Sequence, residues 1–416
     1  MLELIFLSFF FLVVLNMKYK VVLNLMCLTF LYCELIIFES SIYLIKLALF
    51  MLTIWLIMMM ILSVNAVENS GLLLSLMLFL MFVLQLCFYS DSLFVFYLMF
   101  EMSVIPVFLI ILGWGYQSSR IDAGIYMLVY TVLFSLPLLI MIMLLGEFYV
   151  CEGFLSFFFL VSAFMVKFPL FGVHLWLPRA HVEAPVYGSM ILAGIMLKLG
   201  GYGLIKLTFL LGDMMMKYSY YILVYGLLSS VYLSFICLVQ TDVKMLIAYS
   251  SIVHMGLVFS GIMSMSEICL SGSMFMMIGH GLCSSGLFYM VGLVYNRIHT
   301  RSMLLNKGLM HLFPGFSLTW FFMCSSNLSF PPCLSFAGEI SLFSGLVGLN
   351  FNIFILVILI SFVSSLYSIF LFSFTQHGCS SLMFSFSMMN SKEVFLVLLH
   401  WVPLNLLILD LKCMFV

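Results

Sequence analysis

Apolar runs of about twenty residues recur along nearly the whole chain, separated by short polar or turn-forming stretches. That length is what an α-helix needs to cross the apolar part of a bilayer. Hydrophobic residues make up 65% of the 416 residues and charged residues only 7%, whereas soluble domains carry about 25% charged residues. The sequence therefore predicts an all-α polytopic membrane protein with little chain left for a soluble domain.

The apolar runs define fourteen candidate spans, of which the second is the weakest. They are residues 1–16, 20–38, 41–62, 71–89, 91–113, 121–145, 154–176, 185–207, 219–240, 244–263, 271–295, 315–346, 351–374 and 393–412. The first run has no basic segment before it and no small-residue cleavage site after it. It is therefore interpreted as a span and not as a removable signal.

Basic residues divide unevenly between the two ends of these spans. Nine follow odd-numbered spans: Lys18, Lys20, Arg120, Arg179, Lys244, Arg297, Arg301, Lys307 and Lys392. Four lie at the opposite ends: Lys46, Lys206, Lys217 and Lys412. By the positive-inside rule, the first set faces the cytoplasm-equivalent side and both chain termini face the other side.

Composition also excludes several classes of function. The net charge is −1 and no basic stripe is present, so the chain has no electrostatic footprint for nucleic acid. The eleven cysteines form no C-x-x-C pair, which favours small apolar core residues over a zinc site or a disulfide framework. No GxGxxG or GxxxxGK[ST] motif occurs, so nucleotide or flavin chemistry must reside in other chains.

Two lysines, Lys167 and Lys198, lie inside apolar spans of the hairpin formed by residues 164–206. Ionisable residues at membrane depth are costly and usually face a bundle interior or a water-filled path. Lys198 shares a helix face with Gly194 and Gly201, which lets neighbouring helices approach and favours an inward direction. The alternative is a lysine that reaches back to the membrane interface.

The Lys167-Phe168-Pro169 and Ser329-Phe330-Pro331 segments occupy corresponding places in two long spans, the seventh and the twelfth. Five spans separate them, as two inverted five-helix repeats over spans 4–8 and 9–13 would produce. Proline frees a backbone carbonyl that lipid cannot satisfy, so each break must line protein or water. Broken helices at matching positions point to a transport site, and simple proline kinks are the alternative.

Four further titratable residues lie at membrane depth: Glu101, His254, His280 and Glu339. A lone Glu101 would take up a proton or pair with a cation, and Lys167 is the candidate partner. The histidines suit a relay between fixed charges, although a buried histidine also serves as an ordinary core residue. A purely structural Glu101–Lys167 pair, and a Glu339 that only complements a helix dipole, are the corresponding alternatives.

The remaining polar residues predict no further site. His174 lies just before a short loop, WLPRAHVEAP, that contains His181 and Glu183, but the spacing of the three fits no standard metal motif. This loop is interpreted as a polar connection between spans. Glu34 and Lys46 have no clear partners and are interpreted as interfacial.

Five segments, which together cover most of residues 90–345, carry a family resemblance. They are FEMSVIPVFLIILGWGYQSSRIDAGIYMLVYTVLFSLPLLI, VKFPLFGVHLWLPRAHVEAPVYGSMILAGIMLKLGGYGLIK, TDVKMLIAYSSIVHMG, GHGLCSSGLFYMVGLVYNRIHTR and NLSFPPCLSFAGEI. These segments resemble the antiporter-like membrane subunits of NADH:ubiquinone oxidoreductase, respiratory complex I. The second of the five is specific enough to separate one member of this family from the others.

The resemblance implies fourteen helices, two inverted five-helix repeats and broken helices 7 and 12. It implies helices 1–3 in residues 1–70, a first repeat in 71–210, a second in 211–375 and helix 14 in 376–416. Glu101 and Lys167 would form a charge pair, Lys198 a bridge, His254 and His280 the continuing polar axis, and Glu339 its end.

The family resemblance also implies a proton-translocating role as a subunit of an enzyme complex in the mitochondrial inner membrane. NADH, FMN, iron–sulfur clusters and ubiquinone would be bound by other subunits, with no cofactor and no metal in this chain. Its partners would be the other membrane-arm subunits, neighbouring antiporter-like subunits among them, and lipids. A stand-alone cation/proton antiporter and a purely structural spacer are the rival functions.

Overall fold

The computed structural model describes residues 29, 44–64, 71–145, 153–378 and 389–414, and nearly all of these residues are helical. The first two candidate spans lie outside this part of the chain, apart from residue 29. The helices are α1 Leu44–Ser63, α2 Gly71–Tyr89, α3 Leu93–Met102, α4 Val104–Trp114, α5 Arg120–Leu145, α6 Phe154–Lys167, α7 Trp176–Glu183, α8 Val186–Ile191, a π-helix Leu192–Met196, α9 Leu197–Leu210, α10 Gly212–Val239, α11 Val243–Met263, α12 Glu267–Ile298, α13 Leu309–Leu312, α14 Pro314–Asn327, α15 Leu334–Leu349, α16 Ile353–Gln376, α17 Ser391–Leu406 and a 3₁₀-helix Leu407–Met414.

Ten segments among the described residues are long and apolar enough to cross a membrane, and α6 and α15 are shorter apolar helices. Their apolar surfaces are what lipid tails require, and their backbone hydrogen bonds are satisfied within each helix. The predicted class, an all-α polytopic membrane protein, is confirmed. The count of fourteen helices and the pairing into inverted repeats remain predictions.

Helices are interrupted at both matched segments, Lys167-Phe168-Pro169 and Ser329-Phe330-Pro331, whereas Pro137 lies inside the continuous helix α5 and Pro403 inside α17. Helix α6 ends at Lys167 and α7 begins only at Trp176, while α14 ends at Asn327 and α15 begins at Leu334. Side chains replace part of the lost helical bonding: the Trp176 indole N–H donates to the Val166 carbonyl over 3.0 Å. The Ser335 hydroxyl donates to the Ser326 carbonyl over 2.9 Å. Part of each break is therefore bonded to protein, as the absence of backbone partners in lipid requires, while Phe171 and Phe330 remain exposed.

The loop predicted to be a polar connection is largely helical and buried, and that prediction was wrong. Residues Trp176–Glu183 form α7, in which His181 has no exposed surface and Glu183 is 7% exposed. The Arg179 guanidinium lies 4.4 Å from the centroid of the Tyr126 ring on α5. Packing against α5 and α11 gives this short, polar sequence a stability that its own composition does not supply.

Contacts between the loops gather one set of basic residues at one end of the bundle. Residues Asp242 and Ser302 form an isolated β-bridge, Arg301 contacts Glu183 at 3.9 Å, and Arg297 pairs with Glu393 at 2.6 Å. Lys46 and Asp91 pair at the opposite end. This separation agrees with the division of the basic residues predicted from the alternating spans.

Helix α12 forms the centre of the bundle and is buried along almost its entire length. It packs against α1, the π-helix, α11, α15 and α17. Small residues permit the closest approach: a Cβ added to Gly281 of α12 would lie 3.2 Å from the Gly194 carbonyl oxygen on the π-helix. This contact brings the two helices that carry Lys198 and His280 side by side.

Candidate functional site

Lys198 is fully buried at the start of α9, directly after the π-helix. Its ammonium group donates to the Ala193 carbonyl over 2.6 Å. The wider turns of a π-helix leave carbonyl groups available for other donors, and π-helical turns recur at functional sites. Local backbone geometry thus provides a buried lysine with a polar partner and directs it into the bundle, away from lipid.

The same ammonium group contacts a histidine of the central helix. Lys198 Nζ lies 3.0 Å from His280 Nδ1, and both side chains are almost completely buried. One proton can be shared across this contact, because an amine and an imidazole nitrogen are each able to hold it. The Gly194–Gly281 approach makes this distance possible, as Gly194 was predicted to do for neighbouring helices.

A second pair lies on the other side of the central helix. His254 Nδ1 on α11 is 3.6 Å from Glu339 Oε1 on α15, and Glu339 retains 14% of its side-chain exposure. His254 Nε2 lies 3.3 Å from the Tyr367 hydroxyl on α16. The imidazole therefore has a carboxylate on one side and a phenol on the other.

The two pairs join through their histidines. The rings of His254 and His280 have centroids 5.8 Å apart and are inclined at 49°. Lys198, His280, His254 and Glu339 thus form a continuous series of titratable side chains across α9, α12, α11 and α15. We call this series the polar line.

Glu101 and Lys167 lie outside the polar line and do not contact each other directly. No ion pair within 4.0 Å joins them among the described residues, where Lys167 Nζ and Glu101 Oε1 also have no hydrogen-bond partner. Lys167 Nζ lies 4.2 Å from the centroid of the Phe100 ring, a cation–π contact. The two charges are near enough to interact electrostatically, but the predicted direct pairing is not present in this conformation.

Apolar side chains occupy the space between Lys167 and the polar line. A Cβ added to Gly200 would lie 3.1 Å from Lys167 Cβ, so the lysine stem packs directly on α9. One residue further along, Gly201 is covered by the Phe168 ring and the Met277 sulfur. The structure brings four of the six predicted site residues together and leaves Glu101 and Lys167 as a separate group.

Three buried residues near this site carried little signal in the sequence. Tyr367 is the only tyrosine of a Ser- and Phe-rich span and resembles a core residue. Lys244 was counted as a loop charge, but it is fully buried and donates to the Ala184 carbonyl over 3.0 Å. His181 was assigned to a polar connection. Its closeness in sequence to His174 and Glu183 was the one available hint.

The other polar residues singled out from the sequence do not join the line. Lys46, predicted to be interfacial, is hydrogen-bonded to the exposed Asp91, and this bond lowers the pKa of the aspartate. Glu34 lies outside the described residues. Within the described part of the chain, no three His, Cys, Asp or Glu side chains are grouped as metal ligands.

The fold and the polar line together define a class: a polytopic helical membrane protein with ionisable groups buried inside its bundle. Within that class, the chain belongs to the NADH:quinone oxidoreductase/Mrp antiporter transmembrane family, whose profile matches residues 90–368. Its relatives include NADH-ubiquinone oxidoreductase chain 4 of Ceratitis capitata, which is 47% identical over 88% of this chain and 86% of its own length. The Aedes aegypti chain 4 is 48% identical over 75% of this chain and 73% of its own length.

Solved structures share the fold at lower sequence identity. A chain of respiratory complex I from Thermus thermophilus with bound NADH aligns over 97% of this chain and 94% of its own length, with a TM-score of 0.87 and 23% identity. A chain of the Mrp complex from Dietzia sp. aligns over 84% of this chain and 69% of its own length, with a TM-score of 0.73 and 16% identity. The helical architecture is therefore common to both kinds of assembly.

Proposed function

We propose that this chain is a proton-translocating membrane subunit of NADH:ubiquinone oxidoreductase in the mitochondrial inner membrane, corresponding to chain 4. The relatives at 47% and 48% identity support this assignment, since they carry that name and are matched over most of their length. The polar line is the observation in the molecule itself that supports proton movement. An inert membrane spacer would gain nothing from a lysine, two histidines and a glutamate buried in contact.

In this proposal, protons pass between Lys198, His280, His254 and Glu339. The 3.0 Å contact between Lys198 and His280 allows direct transfer. The 3.6 Å separation between His254 and Glu339 is too long for a good hydrogen bond. A small side-chain movement or one bridging water would complete that step. The link between His280 and His254, whose ring centroids are 5.8 Å apart, needs a bridging water or a side-chain movement as well. Only the Lys198–His280 contact is therefore closed in the line.

Glu101 and Lys167 would control this line electrostatically in the proposed mechanism. A signal from a neighbouring subunit that moves Glu101 toward or away from Lys167 changes the field that acts on Lys198. The energies are adequate, because moving one charge against 100 mV costs about 2.3 kcal/mol. A change of one pK unit corresponds to about 1.4 kcal/mol, so changes in proton affinity of a few units suffice.

The redox chemistry of the complex would reside in other subunits, with no redox centre and no cofactor in this chain. Six cysteines, Cys87, Cys237, Cys269, Cys283, Cys324 and Cys333, are free and buried. The partners would be the other subunits of the membrane arm, neighbouring antiporter-like subunits among them, and lipids.

Proton output of the assembled complex tests this function. We expect Lys198→Met to lower the number of protons moved per NADH oxidised in complexes reconstituted into liposomes, because this chain's share of the output is lost. Lys206→Met, two turns along the same helix, is the matched control. An unchanged ratio in a fully assembled Lys198→Met complex would remove the polar line from the pathway and overturn the proposal.

The rival function, a stand-alone cation/proton antiporter, draws on the fold shared with the Mrp complex. The isolated chain would then exchange sodium for protons across a vesicle membrane with no NADH present. We expect no such exchange, and we expect the chain to purify with an NADH-oxidising assembly.

A further inference from the structure

His181 is a buried titratable residue for which the polar line has no role. It has no exposed surface, and neither ring nitrogen has a hydrogen-bond partner among the described residues. Its ring stacks on Phe288 of α12, with the centroids 4.5 Å apart and the planes inclined by 2°. Buried polar groups are nearly always satisfied by protein or by ordered water. The stacking holds the ring in place but leaves both nitrogens available to water.

The position of His181 relative to the polar line follows from the central helix. Residues four apart on α12 form a ridge, and each step rises about 6 Å. His280, which contacts Lys198, is followed on this ridge by Ser284 and then by Phe288, which stacks on His181. His181 is therefore held about 12 Å along the helix axis from the level of His280. It is near enough to interact electrostatically with both Lys198 and His280.

The next steps of the same ridge reach a cavity of about 190 Å³. Gly292 and Asn296 of α12 line it together with Tyr187 of α8 and Lys392 of α17. Its rim is exposed at Asn296 and Lys392, at the end of the bundle where the larger set of basic residues gathers. One water occupies about 30 Å³ of liquid volume, so the cavity holds several.

Residues around α7 connect the cavity wall to His181. Tyr116 lines the cavity, and its backbone N–H donates to the Glu183 carbonyl, two residues after His181. The Lys244 ammonium lies 5.1 Å from the centroid of the Tyr116 ring and is bonded to the Ala184 carbonyl. The backbone two residues after His181 is thus bonded to the cavity wall, and His181 is near enough to the Lys198–His280 contact to interact with it electrostatically.

We propose that His181 is a further proton carrier, which takes protons from this cavity and passes them to the Lys198–His280 contact. A proton adds to one ring nitrogen, and the proton on the other nitrogen leaves for the neutral Lys198 amine or for His280. Water bridges the remaining distance on either side, and exchange of the ring N–H proton with that water restores the starting tautomer. This inference rests on the proposed function, since it supplies the entry to the polar line.

Other charged groups face His181 and limit the alternatives. Lys244, which lies over the ring of the cavity-lining Tyr116, and Lys198 both act on His181 electrostatically, while Glu183 contacts Arg301 at 3.9 Å. Arginine does not release a proton, and the Lys244 ammonium is held by a backbone carbonyl. Among the described residues of this region, His181 is the group with two free nitrogens, which is the arrangement that a relay needs.

The first test uses glutamine at this position in the assembled, reconstituted complex. We expect His181→Gln to cause at least half of the loss in proton output per NADH that Lys198→Met causes. His174→Gln is the matched control, since His174 is also buried near α7 but stacks on Phe171 instead of Phe288. A His181→Gln complex that translocates protons like the wild type, alongside a defective Lys198→Met complex, overturns this inference and leaves the proposed function intact. Normal output from both variants overturns the proposed function itself.

Small-molecule rescue separates a carrier from a structural residue. We expect added imidazole to restore proton output partly in His181→Ala, because the freed space opens toward the cavity, and to change nothing in His174→Ala. Absence of rescue in an assembled, defective His181→Ala complex counts against the carrier role.

A measurement on the unmutated complex keeps the inference testable if these variants do not assemble. Hydrogen exchange at the imidazole C2 position in D₂O reports access of water to each histidine. We expect His181 to exchange faster than His400, which is also fully buried and has its Nδ1 bonded to the Leu396 carbonyl. A His181 that exchanges no faster than His400 overturns the inference.

Discussion

The two halves of the predicted charge pathway differ in how completely the fold connects them. Lys198 Nζ lies 3.0 Å from His280 and His254 lies 3.6 Å from Glu339, with the two histidine rings 5.8 Å apart between centroids. Lys167 instead lies over the Phe100 ring and packs its stem on α9. A cation over an aromatic ring is stabilised by about 0.5–2 kcal/mol without any hydrogen-bond partner. The residues of the polar line are placed for proton transfer from one to the next. Glu101 and Lys167 are placed to act on that line only through their electrostatic field.

The largest effect is expected from a variant that keeps the charge at Lys198 but removes its transferable proton, which tests whether the polar line transfers protons at all. Lys198→Arg retains a cation, but guanidinium does not release a proton near neutral pH. We expect the same loss of proton output per NADH as in Lys198→Met, measured in reconstituted complexes. Lys206→Arg on the same helix is the control. Wild-type output from Lys198→Arg would mean that only a fixed charge is needed and that the polar line does not conduct.

Double-mutant cycles on translocation rate sharpen the comparison between the two halves. Lys198→Met and His280→Gln interrupt one contact, so we expect the double variant to lose hardly more than either single one. The corresponding coupling energy is about 1–3 kcal/mol. Glu101 and Lys167 interact electrostatically without touching, so we expect a weaker coupling between Glu101→Gln and Lys167→Met, of about 0.5–1 kcal/mol. Strong coupling in the second cycle would show that these residues pair directly during turnover.

Helix packing around the polar line predicts a stability effect. Gly281→Val places a branched side chain within 3.2 Å of the Gly194 carbonyl, where backbone cannot yield easily. We expect the assembled complex to be destabilised by about 1–3 kcal/mol, the usual range for overpacking, in a thermal unfolding measurement. Gly348→Ala is the control, since a Cβ there meets nothing within 4 Å. Equal melting of both variants would contradict the close approach of α12 and the π-helix.

The smallest effect is expected at the phenol beside His254. Tyr367→Phe removes the hydroxyl that lies 3.3 Å from His254 Nε2 and leaves the ring in place. One neutral hydrogen bond contributes about 1 kcal/mol, so translocation should slow about fivefold or less. Tyr221→Phe, at a position that is 72% exposed, should have no effect. A complete loss of translocation in Tyr367→Phe would instead make Tyr367 an obligatory member of the line.

Much of this arrangement could be predicted without coordinates. A charged side chain inside an apolar run can be read from the sequence, and such a side chain is energetically costly at membrane depth. Charges inside apolar runs identified Lys167, Lys198 and Glu101, and the two matched Pro-containing segments located the breaks after Lys167 and Asn327. Proline alone was not sufficient, since Pro137 and Pro403 lie inside continuous helices. The assignment of residues Trp176–Glu183 to a polar connection was wrong for a related reason. A short polar segment has the same composition whether solvent or protein surrounds it, and only packing buries it.

The sequence by itself determined the membrane class, the places where helices break and which side chains are too costly to face lipid. Hydrophobicity and backbone chemistry act locally, so they can be inferred one segment at a time. Only the tertiary structure decided which of these side chains meet. The Lys198–His280 and His254–Glu339 contacts join residues from separate helices, and the Phe100 ring, not a carboxylate, faces Lys167. Those outcomes depend on how closely two helices can approach, which the small residues at Gly194 and Gly281 set through steric contact.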